Sequence, residues 1–294
     1  MQGSFRVDGM RRRAQAHWSQ HIFIFSYSAI FPVVGKRFKD RREHANGRAL
    51  PVHAKTEEKG TQDGSIPEGN ANTRLRQCPH SGADSRARLE RASRLRTHSA
   101  IYYFVRDEIL FGYNADDGIP ALRVLADGFG QCNTKGTLFM ALLRSCDIPC
   151  RVHGFLIDKK LQKGAMTGIV YYSAPQEVLH SWVEVLLDGR WYELEGFILD
   201  KGYLGNLQAA HPECTGAFCG YGVAVKDFQR PVVDFDRNDT YIQSEGITRD
   251  LGIYDCPDDL PQEHSQAMSA PKAFAYRHIG RHLMNQNVKK IRNA

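Results

Sequence analysis

The amino-acid sequence predicts an α+β protein, in which helices come first along the chain and an antiparallel sheet follows. Apolar residues recur at helical spacing over residues 100–111 and again over 132–146. Beyond residue 149 they alternate with a period of two, the pattern of half-buried strands. Because helices and strands are grouped along the chain, the order does not predict the parallel sheet of an α/β protein.

The helical part of the pattern contains three segments separated by turn residues. An amphipathic helix is predicted over residues 100–111, and a loop rich in Asn, Asp, Gly and Pro follows at 114–120. A short helix is predicted over 121–126, and Gly-Phe-Gly-Gln then leads into the helix 132–146. That helix is apolar most of the way round, so we expect it to be buried in the core.

The strands are predicted from segments rich in Val, Ile, Tyr and Trp. Asp188-Gly189 predicts a two-residue hairpin turn, because this pair suits a type I′ turn. From residue 208 onward the pattern is weaker. The predicted strands are 150–157, 168–173, 179–187 and 190–199, followed by strand-like pieces at 221–235 and 240–243 and a helix at 273–291.

The composition and the charge distribution predict two parts. The 294 residues are 42% hydrophobic and 24% charged, which excludes collagen-like, coiled-coil and wholly disordered chains. Residues 1–99 contain 19 basic and 9 acidic residues, whereas residues 100–294 contain 20 basic and 24 acidic ones. We therefore predict a basic, disordered extension over 1–99 and a folded domain over 100–294, whose C-terminal elaboration is 208–294.

Arginines cluster near the end of the predicted extension, which allows two interpretations. They form either a nucleic-acid-binding arm or a solvated tail. No aromatic residue is interleaved with them, so the sequence favours the tail, and no nucleic acid is expected as a partner. The cluster consists of Arg86, Arg88, Arg91, Arg94 and Arg96.

The cysteines and the N-terminal segment bear on the compartment. Seven cysteines at irregular spacings do not have the pattern of a disulfide framework, so a reducing, cytoplasmic location is expected. Arg11-Arg12-Arg13 followed by an apolar run over residues 22–34 has the order of a signal peptide. Polar residues interrupt that run, which is too short to span a bilayer, and no small-residue cleavage site follows it. No stable membrane association is therefore expected.

Three residues that are far apart along the chain have the chemistry of a nucleophilic triad. Cys132 begins the long helix, where the helix dipole and free backbone N–H groups favour a thiolate. His180 begins a predicted strand, and the next strand carries Glu193 and Glu195. A thiol, an imidazole and a carboxylate can act as attacking group, proton shuttle and orienting group.

The register of the predicted hairpin selects one carboxylate. A two-residue turn pairs Trp182 with Glu195, which places Glu195 on the same sheet face as His180. Glu195 is then a diagonal neighbour about 7 Å away, backbone to backbone, within reach of a long side chain. Glu193 shares this face but lies one step farther away, and Asp200 is expected on the opposite face.

Four motifs resemble the core of the transglutaminase-like superfamily, in the same order and over about residues 101–207. That family has a G-x-C at the start of a helix, an LLR-x-x-GIPAR segment, an HAWVEV strand and a DGRW-x-x-L-D strand. The matching segments here are Gly130-Gln131-Cys132-Asn133-Thr134-Lys135, the run Leu142-Leu143-Arg144-Ser145-Cys146-Asp147-Ile148-Pro149-Cys150-Arg151-Val152, His180-Ser181-Trp182-Val183-Glu184-Val185 and Asp188-Gly189-Arg190-Trp191.

The resemblance implies a papain-like fold, with the cysteine-bearing helix packed on an antiparallel sheet. It implies that Cys132 is the nucleophile and His180 the base, and Glu195 falls where the family usually has Asp. Either carboxylate can serve in a triad. Relatives in this superfamily include transglutaminases, peptide N-glycanases and bacterial proteases.

These observations predict a cysteine-dependent acyl-transfer enzyme that acts on an amide-type bond through a thioester, as a hydrolase or a transamidase. A peptide, a protein or a small amide is the expected substrate. The alternative is a non-catalytic binding module on the same fold. The sequence leaves open the oligomeric state and the second oxyanion donor, for which Gln131, Asn114 and Tyr113 are candidates.

No cofactor and no metal are expected. Nothing in the sequence resembles the calcium sites of the animal transglutaminases. The segment His211-Pro212-Glu213-Cys214, with Cys219 and Cys256, allows a zinc interpretation, but its spacing is looser than that of the usual structural zinc pair. The sequence therefore favours ordinary reduced thiols here.

Overall fold

The computed structural model describes the backbone of residues 81–264 and 269–294, and the side chains of 90–264 and 269–294. The chain divides into two compact units, Met1–Arg88 and Leu89–Ala294. Almost all of the described residues belong to the second unit. The disordered extension predicted from the sequence lies, up to residue 80, outside the described residues.

The second unit combines helices with antiparallel strands, so the predicted α+β class is confirmed. The helices are α1 (Ser81–Asp107), α2 (Ala121–Asp127), α3 (Cys132–Ser145), α4 (Gly168–Ser173), α5 (Lys201–Ala210), α6 (Asp259–Glu263), α7 (Ala270–Ala275) and α8 (Arg281–Arg292). The strands are β1 (Leu110–Phe111), β2 (Phe129–Gly130), β3 (Cys150–Asp158), β4 (Glu177–Leu187), β5 (Arg190–Leu194), β6 (Phe218–Gly220), β7 (Val223–Val225) and β8 (Ile247–Tyr254).

A four-stranded antiparallel sheet in the order β5-β4-β3-β8 forms the centre of this unit. Helix α3 packs against β4, and its apolar side chains are buried as predicted. The other strands form small pairs, parallel between β1 and β2 and antiparallel between β6 and β7. The buried helix therefore presents its N-terminal end beside one strand of the central sheet.

The hairpin between β4 and β5 has the predicted turn. Asp188 and Gly189 have φ angles of 52° and 79°, which a type I′ turn requires at both central positions. Leu187 pairs with Arg190, and the register continues without a shift to the pair of Val183 and Leu194. The predicted pairing of strands is therefore confirmed as far as Leu194.

The first helix is longer than the sequence predicted. It begins at Ser81, so the predicted boundary at residue 100 falls inside α1. Arg, Ala, Leu and Glu, which dominate the segment before residue 100, are strong helix formers and extend the helix without an apolar stripe. His98 is fully buried, and its ring packs 4.4 Å from that of Phe235. Arg91, Arg94 and Arg96 are exposed on this helix.

Several strand predictions were wrong. The segment predicted as a strand at 168–173 is helix α4, on which Ile169 and Tyr172 are 82% and 81% exposed. A β-prone composition does not form a strand where no neighbouring strand is available to pair with it. The strand predicted at 190–199 ends at Leu194, and only Val223–Val225 is a strand within 221–235. Strand β8 was not predicted, because three consecutive polar residues, Thr248, Arg249 and Asp250, interrupt the alternation of its apolar residues.

The C-terminal helical segment packs on the helical side of the unit. The predicted helix at 273–291 is formed by α7, a π-helical turn over Tyr276–Gly280, and α8. Arg292 at its end makes an ion pair of 2.7 Å with the buried carboxylate of Asp200. This contact anchors the segment on the start of α5. In the described part of the chain, no helix is both long and apolar enough to cross a membrane.

Candidate active site

Cys132 is the first residue of α3, and its position is set by a capping arrangement. Gln131 is the N-cap residue, and its side chain and that of Thr134 form a capping box. Gly130 precedes the cap, and a Cβ atom there would lie 2.6 Å from Oγ1 of Thr134, so the close approach requires glycine. The side chain of Cys132 is 9% exposed.

The start of α3 is largely buried. Thr134 and Lys135 are fully buried, although their polarity indicates solvent. The hydroxyl of Thr134 donates to Oδ1 of Asn114 at 2.7 Å. The Lys135 ammonium donates to the carbonyls of Ile198 and Arg106 at 2.9 and 3.2 Å. Burial is tolerated because these polar groups are satisfied.

His180 lies on β4 and makes a buried hydrogen bond to Glu195. The distance between Nε2 of His180 and Oε1 of Glu195 is 2.7 Å, and neither side chain is exposed. The sequence-based choice of Glu195 is therefore consistent with the geometry. Asp200 does not contact His180. Its side chain caps the start of α5, where it accepts a hydrogen bond from the backbone N–H of Tyr203.

Glu195 reaches His180 from a position that the predicted register does not describe. Strand β5 has already ended, so Glu195 does not pair with Trp182. The backbone N–H of Glu195 donates instead to the carbonyl of Thr240 at 2.9 Å. Its second carboxylate oxygen accepts from the N–H groups of Ile242 and Gln243 at 2.7 and 2.9 Å. These two backbone donors stabilise a buried negative charge.

The Cys132 thiol affects the ionisation of His180, whose Nε2 is already bonded to Glu195. Nδ1 of His180 is buried and makes no hydrogen bond of standard geometry within the described residues. Burial lowers the pKa of His180, but the charge of Cys132, a polar contact with it and the Glu195 carboxylate outweigh burial and raise this pKa to about 10. The imidazole is therefore protonated at neutral pH and faces the sulfur.

All three candidate oxyanion donors have protein partners. Nε2 of Gln131 donates to Asp117 at 2.8 Å, and Nδ2 of Asn114 donates to the carbonyl of Phe129 at 3.2 Å. The Tyr113 hydroxyl donates to Oε1 of Gln162 at 2.5 Å. The backbone N–H of Cys132 remains a candidate, and the second donor stays a prediction.

The C-terminal segment covers the side of the site near Tyr113. Asn285 on α8 bridges the backbone of Tyr113, accepting from its N–H at 2.7 Å and donating to its carbonyl at 3.0 Å. The Tyr276 hydroxyl donates to the carbonyl of Asn114 at 3.0 Å. Burial raises the pKa of Tyr276, and the charges of Asp117 and Cys132 raise it further. Tyr276 therefore lies near the thiol.

Sequence reasoning missed Asp117, Tyr276 and the two backbone donors at Ile242 and Gln243. No motif marks any of them. Asp117 stands in a loop whose composition predicts only a turn, and Tyr276 stands 144 residues after Cys132. Their position at the site is a consequence of chain folding alone.

One group of possible metal ligands comes together among the described residues. The ligand atoms of His211, Glu213 and Cys214 all lie within 4.8 Å of one another. Cys219 and Cys256 are not part of this group. His211 contacts the Glu213 carboxylate through Nδ1 at 3.4 Å, so the cluster is also explained as a surface ion pair.

Comparison with known proteins identifies the core. Residues 86–196 match the family model described as the transglutaminase-like superfamily, and the match includes Cys132, His180 and Glu195. No curated protein matches the chain. A crystal structure described as a "Putative Cysteine Protease from Cytophaga hutchinsonii" is similar over 57% of this chain and 37% of that one, at 14% identity and a TM-score of 0.29. This chain thus spans less than two thirds of that protein.

The family match agrees with the motifs read from the sequence and with the packing of α3 against the antiparallel sheet. The matched segment, 86–196, starts 15 residues earlier and ends 11 residues earlier than the segment 101–207 that resembles the family, and it contains all four motifs. Over residues 86–196 the chain therefore matches the transglutaminase-like superfamily in sequence, with a fold that agrees with this match.

Proposed function

We propose that this protein is a cysteine-dependent acyl-transfer enzyme that cleaves an amide-type bond through a thioester. In this proposal Cys132 is the nucleophile, His180 the general acid–base and Glu195 the orienting carboxylate. One observation carries the proposal: His180 is held by Glu195 at 2.7 Å through Nε2, which leaves Nδ1 for the sulfur at the N-terminus of α3.

The electrostatics favour a thiolate–imidazolium pair. Three features act in the same direction: the dipole of α3, the charge of the facing Cys132 sulfur, and the bond from His180 to Glu195. Burial of the imidazole opposes the ion pair, and the contacts with Cys132 and Glu195 outweigh it. A thiolate attacks a carbonyl without first losing a proton, so the step does not need a stronger base.

The reaction follows from these positions. The Cys132 sulfur forms a bond to the carbonyl carbon, and the carbonyl π electrons move to the oxygen. When this intermediate collapses, the C–N bond breaks and the His180 imidazolium transfers its proton to the leaving amine. The product on the enzyme is a thioester. His180 then removes a proton from water or an amine, which attacks the thioester and releases the sulfur as a thiolate.

The direct test is to trap the thioester. The full-length protein would be incubated with a library of small amides and esters and analysed by intact-mass spectrometry, with Cys132→Ala as the control. We expect adducts whose mass equals the acyl group, carried by Cys132 and absent from the variant. Adducts that form equally on Cys132→Ala would contradict the proposal.

A second test separates an enzyme from a binding module on the same fold. An activated nucleophile reacts with iodoacetamide at pH 6 before the other cysteines, and this advantage is lost in His180→Ala. A binding module gives no early labelling of Cys132. Cys150 is a matched internal reference, because it is also buried and burial raises the pKa of its thiol to about 11.

A further inference from the structure

Asp117 lies in the loop before α2, where residues on both sides of the candidate nucleophile hold it. Nε2 of Gln131 donates to Oδ1 of Asp117 at 2.8 Å. Asn133 stabilises the charged carboxylate from the other side of Cys132. Residues that flank the thiol in the sequence therefore fix this carboxylate at the edge of the candidate site.

The charge of Asp117 is not balanced by a cation. Its neighbour Asp116 makes an ion pair of 2.8 Å with Arg277. Asp117 makes no such pair with any residue that the structure describes, and Asp116 is the charged group that acts on its ionisation. Burial raises the pKa of Asp117, whereas its bonds from Gln131 and Asn133 lower it. A positive group from a substrate would supply the missing partner.

A small pocket adjoins this carboxylate. The space open to a water-sized sphere is about 10 Å³, close to the room that one water molecule needs. An ammonium group is of that size, and it carries three N–H donors for oxygen acceptors such as those of Asp117 and Ser181 in the wall. The wall is polar at one end and apolar at the other, and it is formed by Asp117, Asn133, Thr137, Val152, Ser181, Pro257, Leu260 and Pro261.

We propose that Asp117, Asn133 and Ser181 form a subsite beside Cys132 that receives the primary ammonium group of a lysine-like side chain on the acyl donor. The proposal rests on the proposed function. Oδ1 of Asn133 already accepts from Ser181 at 2.8 Å, which fixes the oxygen atoms of the pocket. Asn133, which follows Cys132 on α3, lines this pocket, and the pocket exists before any substrate has reacted. The subsite therefore acts on the first substrate to bind, which is the acyl donor.

The test uses charged thiol reagents, because they report the field at Cys132 without a known substrate. Cys132 would be modified with two methanethiosulfonates, the cationic trimethylammonium-ethyl and the anionic sulfonato-ethyl reagent. Each rate constant would be divided by that of the same reagent with glutathione, which corrects for intrinsic reactivity. We expect the cationic reagent to be favoured about tenfold in the native protein, and Asp117→Asn to abolish this preference. Asn keeps an oxygen that accepts from Gln131.

Two further variants control for changes in the fold. Asp117→Glu keeps the charge and retains the preference. The double variant Asp116→Asn with Arg277→Gln removes the neighbouring ion pair at constant net charge and also retains it. Equal rates for the two reagents in the native protein, or a preference that survives in Asp117→Asn, would overturn the subsite.

Matched esters then test the donor directly. Acylation by p-nitrophenyl esters of Nα-protected lysine and norleucine is followed by intact mass, and lysine is expected to react about tenfold faster only when Asp117 is present. Equal rates overturn the subsite while leaving the thiol chemistry intact. If neither ester acylates Cys132, the proposed function fails. The thiol reagents then still decide on the subsite, because their reaction with Cys132 does not require acyl transfer.

Discussion

The side chains of His180 and Glu195 form a hydrogen bond of 2.7 Å in which both partners are completely buried. The other oxygen of the Glu195 carboxylate accepts hydrogen bonds from two backbone N–H groups, which fix the orientation of the carboxylate independently of His180. The imidazole can therefore present only its Nδ1 edge toward Cys132. The geometry makes the carboxylate an orienting group, whose removal has a defined consequence.

We expect Glu195→Gln to slow the alkylation of Cys132 by iodoacetamide at pH 6 by about 10²-fold. The variant removes the carboxylate that holds the His180 ring and helps to raise its pKa, so the imidazolium no longer faces the sulfur. Glu195→Asp keeps the charge but shortens the side chain, so we expect an intermediate rate. The second-order rate constant from intact-mass sampling measures both.

The control for this prediction is Glu193→Gln, on β5 two residues before Glu195. Its carboxylate accepts from the hydroxyl of Tyr241 and makes no bond to His180. We expect the Cys132 rate to remain unchanged in this variant. A similar loss in both variants would show that general damage to the sheet, and not orientation of His180, is responsible.

The second prediction concerns access to the thiol. Cys132 is 9% exposed and Tyr276 lies near it, so we expect Tyr276→Ala to increase the rate of Cys132 alkylation several-fold. Tyr276→Phe keeps the ring and loses only the bond to the Asn114 carbonyl, so its rate stays near that of the native protein. Iodoacetamide labelling at fixed pH measures this, and an unchanged rate in Tyr276→Ala would refute the steric role.

The third prediction concerns stability in acid. His98 is fully buried, neither ring nitrogen has a hydrogen-bond partner in the part of the chain that the structure describes, and burial lowers its pKa to about 4. Because the unfolded chain binds a proton near pH 6.5 and the folded protein does not, stability falls as the pH drops from about 6.5 to about 4 and is constant below. The loss is about 3 kcal/mol for this residue.

His98→Phe removes this loss and preserves contact with Phe235. Urea unfolding at pH 7 and pH 4 measures the free energy of unfolding of both proteins. Between these pH values we expect the native protein to lose more stability than His98→Phe. The exposed His282, replaced by Phe, is the control. An identical pH dependence for His98→Phe and the native protein would contradict the buried neutral state.

The fourth prediction concerns stability in mild alkali. Burial lowers the pKa of Lys135 to about 7, below its ordinary value of 10.5. Protonation therefore favours the unfolded chain, so this residue makes the folded protein more stable as the pH rises from about 7 to about 10.5. We expect Lys135→Met to remove that rise, by an amount on the order of a few kcal/mol.

Urea unfolding at pH 7 and pH 10 of the native protein and of Lys135→Met gives this difference directly. Groups that titrate elsewhere are common to both proteins and cancel. Lys201→Met is the control, because the Lys201 side chain is 63% exposed. The prediction is wrong if the native protein and Lys135→Met change in parallel between the two pH values.

Local patterns were sufficient for the elements that determine the site. The Asp188-Gly189 turn defines the β4–β5 register through backbone geometry alone, as far as the pair of Val183 and Leu194. The choice of Glu195 over Glu193 agrees with the structure, although the contact with His180 forms beyond that register. The helix dipole and the cap at Gln131 are likewise local. These features could be predicted because turn type, hairpin register and helix start depend on neighbouring residues.

Other features could not be predicted from local patterns. The polarity of Thr134 and Lys135 indicated an exposed helix start, but partners at Asn114 and Ile198 bury both. The β-prone segment at 168–173 became a helix because strand formation depends on a neighbouring strand. In each case the outcome depends on residues that are distant in the sequence.

The sequence by itself determined the class of fold and the resemblance to the transglutaminase-like superfamily, and it supplied the three residues of the candidate triad. All of these depend on motifs of a few neighbouring residues. Only the tertiary structure decided how Glu195 meets His180 beyond the end of β5 and that backbone groups at Ile242 and Gln243 hold it. It also decided that the residues flanking Cys132 hold Asp117. The physical reason is that burial and long-range hydrogen bonds arise when distant segments pack together, and no local pattern encodes them.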